Sequence, residues 1–293
     1  MKWSMGIIYI IFAPILGGLI QGIDRKITAK MQGRMGPPIL QPFYDVQKLF
    51  RKEVVVVNRA EKFFLIFYLI FMIFTGVIFF SGGDILLVTF AFTLTSIFLV
   101  IGAYSTNSPY STIGAERELL QMMSYEPMLL LTSIGFYLAK GTFNVGEIII
   151  GKFPTIVYLP GIFIGFIFIL TIKLRKSPFD LSSSHHAHQE IVKGLTTEFA
   201  GPTLGLVEIA EWYENVLLYG VVYIFFRYNS TLSIVLALGI CLLVYIYMFS
   251  SPKFLNPNSP NLSSFLMLQE SSNLHNLREH LPLNCGEGCQ LHA

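Results

Sequence analysis

Three glutamates, Glu208, Glu211 and Glu214, are spaced three apart in a stretch, 201–226, that is otherwise almost wholly apolar. On a helix each step of three turns about 60° backward and rises about 4.5 Å, which predicts one stripe of carboxyls facing the interior of a helix bundle. Glu126 places a fourth carboxyl in a second apolar stretch, within Ser124-Tyr125-Glu126-Pro127. There Pro127 withholds the backbone donor that the carbonyl of Met123 would use, making room for polar contacts or water. A charged side chain in hydrocarbon costs about 2.5–3.5 kcal/mol even on the lenient scale, so four such residues point to function. Water can bridge carboxyls at this spacing, and crowded like charges share protons, which is the chemistry of a proton relay. The alternative is pairing with Lys or Arg for assembly. Neither 201–226 nor 119–139 contains a base, although Arg117 stands within reach from the adjoining loop.

Such residues need a scaffold, and composition says which. Of 293 residues, 53% are hydrophobic and 13% charged, with 26 Phe and 14 Tyr, and the mean hydropathy is +0.61. Soluble domains carry about 25% charged residues. These values exclude a disordered chain and leave a soluble αβ enzyme no core large enough for its aromatics. The three cysteines, Cys241, Cys285 and Cys289, fall late and give no disulfide framework. The charge balance, 20 Lys+Arg against 18 Asp+Glu, gives no sign of a nucleic-acid partner. The expected fold is an all-α polytopic membrane protein.

Runs of about 20 apolar residues mark the spans. Seven are expected, over 3–23, 63–83, 85–104, 119–139, 153–172, 201–226 and 228–252. The first run lacks a small-residue cleavage site and is too long for a signal's apolar core, so it stays as a helix. Nine of the 20 Lys and Arg lie in 24–62, four more (Lys173, Arg175, Lys176 and Lys193) lie between spans five and six, and Arg117 lies between spans three and four. By the positive-inside rule the large loops are cytoplasmic, the amino terminus is outside, and the site is the inner (cytoplasmic) membrane.

Two loops are more than connectors. In 24–62, Gly33-Arg34-Met35-Gly36-Pro37-Pro38 makes a stiff turn. An amphipathic helix over 42–53 follows, with Phe43, Val46, Leu49 and Phe50 on one face and Asp45, Lys48, Arg51 and Lys52 on the other. It is expected to lie flat at the bilayer interface, as a surface anchor or with its basic face toward a partner. In 173–200, His185, His186 and His188 share one short segment without a nearby cysteine, which suits proton buffering or docking better than a metal centre. Gly18 and Gly22 form a small-xxx-small pair that calls for close helix packing. No phosphate loop, nucleophile elbow or Cys-x-x-Cys pair occurs, so the chain is expected to carry no cofactor and no catalytic residue.

Several motifs, in order, resemble subunit 1 of respiratory complex I, also known as the H-subunit family. They are Asp24-Arg25-Lys26, Gly33 to Pro37, Leu40-Gln41-Pro42, Lys48-Leu49-Phe50, Lys52-Glu53, Ser124-Tyr125-Glu126, Pro178-Phe179-Asp180, Thr197-Glu198-Phe199 and Ala210-Glu211-Trp212. The stretch from Ser182 to Glu190, with Trp212-Tyr213-Glu214-Asn215, is similar to the membrane subunit of energy-converting group 4, Ech-type [NiFe] hydrogenases. The resemblance implies a non-catalytic anchor that joins a soluble redox module to antiporter-like membrane subunits moving H⁺ or Na⁺. Hydrogenase large and small subunits and an iron–sulfur protein would hold the clusters and the nickel–iron centre. By motif, Glu126, Glu190, Glu198 and Glu211 fall on the family's acidic channel, while Glu208 and Glu214 extend it on the helix argument alone. The implied docking surface comprises Arg25, Lys26, Arg34, Gly36, Pro37, Lys48, Arg51 and Lys52, with Pro178, Phe179, Asp180, His185, His186 and His188.

The second reading is the quinone-site subunit of a complex I-like oxidoreductase. A stand-alone carrier or channel explains the glutamates but leaves both long loops without a task. Relatives usually finish with an eighth membrane helix. Here 253–293 reads as a divergent polar tail beside a membrane domain over 1–252, and seven spans put the carboxyl terminus in the cytoplasm.

Overall fold

A computed structural model describes residues 2–31, 35–53, 58–149, 154–174, 194–227 and 231–250. The expected polar tail, Arg34, Glu190 and the segment from Pro178 to His188 lie outside the described residues. Among the described residues the chain is helical: α1 (Lys2–Met31), α2 (Gln41–Phe50), α3 (Arg59–Phe80), α4 (Ile85–Tyr104), α5 (Pro109–Lys140), α6 (Val145–Ile148), α7 (Pro160–Lys173), α8 (Pro202–Phe226) and α9 (Thr231–Ser250). Each of the seven expected apolar stretches coincides with a helix, α1, α3, α4, α5, α7, α8 and α9 in turn. Within these, Ser4–Ile27, Ala60–Phe80 and Ile85–Tyr104 are long and apolar enough by themselves to cross a bilayer.

Local signals set most ends. Asn58 caps α3 by accepting from the Ala60 amide at 3.1 Å, and Asp84 caps α4 by accepting from Leu86 at 2.8 Å. Gly141, at φ 73°, ends α5 in the left-handed conformation that glycine adopts freely. The fifth span is shorter than expected. Pro154 precedes a 3-10 turn over Thr155–Val157, and α7 starts only at Pro160. A proline fits the first helical turn and not the interior, so the apolar run from 153 is divided. At 14 residues, α7 spans about 21 Å, less than the hydrocarbon thickness of about 30 Å.

Helix α8 is the hub, packing against α1, α2, α3 and α9, while α3 meets α4, α4 meets α5, and α5 meets α7. Phe136 of α5 and Phe163 and Phe166 of α7 close around the fully buried Phe225 of α8. The buried hydroxyls of α4 return to their own helix: Thr89 donates to Leu86, Thr93 to Phe90 and Thr95 to Ala91. That keeps a hydroxyl-bearing helix compatible with an apolar surround.

The amphipathic helix is not a bare surface anchor. The Phe43 ring of α2 packs over Gly18, where a Cβ would stand 2.5 Å from the ring. It also meets Trp212 of α8 at 5.1 Å between centroids. The Phe50 ring covers Gly205 of α8, and Val46 is buried. The Gly18–Gly22 pair therefore receives α2 and the segment before it, because Gly22 abuts the Ile39 carbonyl. The close packing that this pair calls for is present, and its partner is the loop segment between the first two spans rather than another span.

Candidate functional site

The three glutamates of α8 do not face one common interior. Six residues of helix carry Glu214 about 120° around from Glu208, so they meet different neighbours. Glu208 faces α1, where Gln21 Nε2 donates to its Oε2 at 3.1 Å. The same Gln21 accepts from Trp212 Nε1 at 2.6 Å, fixing the amide orientation. Glu214 faces the other way, into α4, α5 and α7, and Glu211 is half-buried between them.

Glu214 has a base as its partner. Lys173 Nζ lies 3.0 Å from Glu214 Oε1, and the two side chains are 7% and 12% exposed. The sequence assigns Lys173 to a loop, because a charge ending an apolar run reads as a helix boundary. In the fold it is the last residue of the short α7 and turns inward. Its partner stands about 18 Å along α8 from Pro202, near the middle of that helix. The pairing reading weighed against the relay is thus met at Glu214, by a residue outside both glutamate stretches. Breaking such a buried pair from one side costs about 3–5 kcal/mol.

The ammonium is held on further sides. Lys173 donates to Ser96 Oγ of α4 at 3.1 Å, and Tyr125 of α5 donates to the same oxygen at 3.2 Å. The Phe92 and Tyr125 rings lie 4.5 and 4.6 Å from Nζ, geometry that stabilises a cation by about 2 kcal/mol when desolvated. Glu118 of α5, 6% exposed, is a second carboxyl whose charge acts on Lys173. Four helices therefore converge on one buried cation.

An apolar-run criterion misses two buried carboxyls, Glu118 and Glu61. Glu118 lies on the buried face of α5 with Met122 and Tyr125, whereas Glu126 is only half-buried and its neighbour Pro127 is exposed. Glu61, in the first turn of α3, is 1% exposed, with Glu198 and Thr203 facing it. Both stand just outside the apolar windows, where a helix is still protein-covered. The signals that mark them are the i, i+4 and i, i+7 register of Glu118 with Met122 and Tyr125, and the Asn58-x-x-Glu61 helix start.

The carboxyls thus fall in separate surroundings: Glu61 and Glu198 together where α3 and α8 begin, Glu208 against Gln21 of α1, and Glu214 with Glu118 around Lys173. Beyond it α4, α5, α7 and α8 enclose a small cavity lined by Ile85, Val88, Phe92, Leu129, Phe166 and Leu217. The hydroxyls beside it, those of Thr89, Thr132 and Ser133, all donate to carbonyls of their own helices. Among the described residues, no carboxylate or base lines that cavity.

Of the expected docking residues, Lys26, Lys48, Arg51 and Lys52 are exposed. Arg25 is tied to Asp45 of α2 at 2.5 Å, and Gln41 Nε2 donates to the other Asp45 oxygen at 2.9 Å. Gly36 packs against Lys26 and Ala29 of α1, with Pro37 half-buried beside it.

A helical membrane protein with buried carboxyls at one end of its bundle and a buried Lys–Glu pair near the middle of its central helix is the class that fold and site define. The NADH dehydrogenase family matches over residues 4–255. The H subunit of NADH-quinone oxidoreductase from Bacillus cytotoxicus is 32% identical over 72% of this chain and 71% of its own. That of Bacillus mycoides is 32% identical over 80% and 73%. A solved structure of the membrane-bound sulfane sulfur reductase, an archaeal respiratory membrane complex, contains a chain with TM-score 0.72 and 26% identity, covering 87% of this chain and 89% of that one. The protein belongs to the NADH dehydrogenase family, the family of complex I subunit 1, and is a membrane subunit of a respiratory complex.

Proposed function

We propose that this chain is the coupling subunit of an energy-converting, hydrogenase-type membrane complex. It docks a soluble redox module at the α2 end and passes the effect of turnover along its carboxyls toward antiporter-like subunits. The observation that supports the reading is the placement of acidic groups at both levels of the bundle, Glu61 with Glu198 at that end and Glu214 with Lys173 near the middle of α8. In this reading the path leaves Glu214 sideways within the membrane, since the cavity beyond it is lined mainly by apolar side chains. A lateral path suits a subunit that hands protonation changes to a neighbour; a stand-alone channel needs a path through.

In this reading ferredoxin supplies electrons, partner subunits hold the iron–sulfur clusters and the nickel–iron centre, and the large loops are cytoplasmic. The sequence from Ser182 to Glu190 and the likeness to a membrane-bound sulfane sulfur reductase support it. The quinone-site reading has its own support in the 32% identity to the H subunit of an NADH-quinone oxidoreductase.

Purifying the tagged chain with its complex from native membranes decides between them. Hydrogen evolution from reduced ferredoxin with nickel present is the expected result; quinone reduction without nickel moves the assignment. Replacing Glu211 with Gln keeps the complex assembled and lowers ion translocation at least tenfold in sealed vesicles. Normal translocation in that variant removes the relay from the proposal.

A further inference from the structure

The proposed relay accounts for carboxyls but not for the buried ammonium among them. Lys173 is the last residue of α7, 7% exposed, and is held by groups from three other helices: Glu214 of α8, Ser96 and Phe92 of α4, and Tyr125 of α5. A lysine that served only to neutralise Glu214 would need the carboxylate and little else. This one also has a hydroxyl acceptor at 3.1 Å and two aromatic faces within 4.6 Å. Those groups solvate the ammonium whether or not Glu214 is charged, since ring quadrupoles and a hydroxyl lone pair do not titrate with it.

We propose that Lys173 is the resident cation of the relay, a positioning residue that stays charged in its Ser96–Phe92–Tyr125 cage while Glu214 alternates between carboxylate and acid. A proton arriving from the Glu211 side forms the neutral Glu214 carboxyl. Lys173 keeps all three of its protons and its charge, and the cage replaces the lost ion pair. The opposing charge then favours departure of that proton to the next acceptor, which restores the pair. Glu118, the other carboxyl whose charge acts on the ammonium, is the acceptor on α5 by this reading. One proton enters, one leaves, and no electrons move. Without the cation, a proton that reaches Glu214 meets no opposing charge to favour its departure.

This inference rests on the coupling function proposed above, and the experiment separates the two. Sealed inverted vesicles containing the intact complex are assayed for electrons transferred and ions translocated, with the unaltered chain, K173M, K173R and the double variant K173M/E214Q. The methionine keeps the apolar stem, and K173M/E214Q removes both charges of the pair together. Expected is an assembled K173M complex in which ions moved per electron fall more than twofold, and a K173R complex within twofold of the unaltered one. A K173M complex with unaltered stoichiometry overturns the proposal. So does failure of K173M to assemble when K173M/E214Q assembles, since the lysine would then serve only to neutralise Glu214 in the fold. Redox turnover without any gradient in vesicles of the unaltered chain overturns the coupling function itself, and this inference falls with it.

Discussion

Pro14 removes the donor that the Ile10 carbonyl would use inside α1, and the Tyr213 hydroxyl donates there instead at 2.7 Å. Tyr9 answers in the opposite direction, donating to the Tyr213 carbonyl at 3.2 Å. Two tyrosines thus fasten α1 to α8 beside Glu211. Tyr213→Phe leaves that carbonyl without a donor where water is scarce, at a cost of about 1–3 kcal/mol. The expected outcome is a lower thermal midpoint of the purified complex with the redox-to-ion ratio unchanged, and an unchanged midpoint refutes the role. At this scale the spacing of the α8 glutamates and their presence among apolar residues are legible in the sequence. Their partners are not: Gln21 and Lys173 lie 187 residues before Glu208 and 41 before Glu214 in chain order, and only tertiary packing joins them. A single-helix projection treats Glu208 to Glu214 as one face because it carries no neighbours against which about 120° of drift matters.

Helix positions are legible where composition changes sharply and less so where a helix outlasts its apolar run. α5 begins at Pro109, ten residues before the apolar window, and α1 continues to Met31 through Asp24, Arg25 and Lys26. Both extensions stand where other protein segments replace lipid, so charge no longer marks a helix end. The seating of α2 shows the same logic. Its apolar face is legible in its periodicity, while the cover over that face depends on glycines in α1 and α8 that have no side chain to interfere. Gly22→Ala drives a methyl group into the Ile39 carbonyl, a backbone atom that cannot rotate away. Gly161→Ala, at a site with nothing within 4 Å, is the matched control. Protease digestion of membranes expressing each variant is expected to cleave the 35–53 segment at least fivefold faster in Gly22→Ala and at the unaltered rate in Gly161→Ala. Equal rates in both would mean that the α1 groove does not hold α2.

At the scale of the whole molecule, the buried carboxyls Glu61 and Glu118 contrast with Lys26, Lys48, Arg51 and Lys52, which are exposed at the end where Glu61 and Glu198 stand. The Arg25–Asp45 pair, 36% and 38% exposed, holds α2 at α1 and so fixes the direction in which those bases point. A soluble module landing there is steered by charge, and its hold weakens as salt rises, because exposed charges are screened beyond about 8 Å at physiological ionic strength. Reversing Lys48, Arg51 and Lys52 together to Glu alters none of the buried carboxyls and neither the Phe43 nor the Phe50 contact that seats α2. The membrane subunits should therefore co-purify as before. The soluble module should be lost at a salt concentration at least twofold below that needed with the unaltered chain, as read by its yield on a tagged membrane subunit across a salt series. Retention of the module at every salt concentration that retains it normally would place the docking surface elsewhere. Loss of the membrane partners as well would show that the basic face supports assembly within the bilayer.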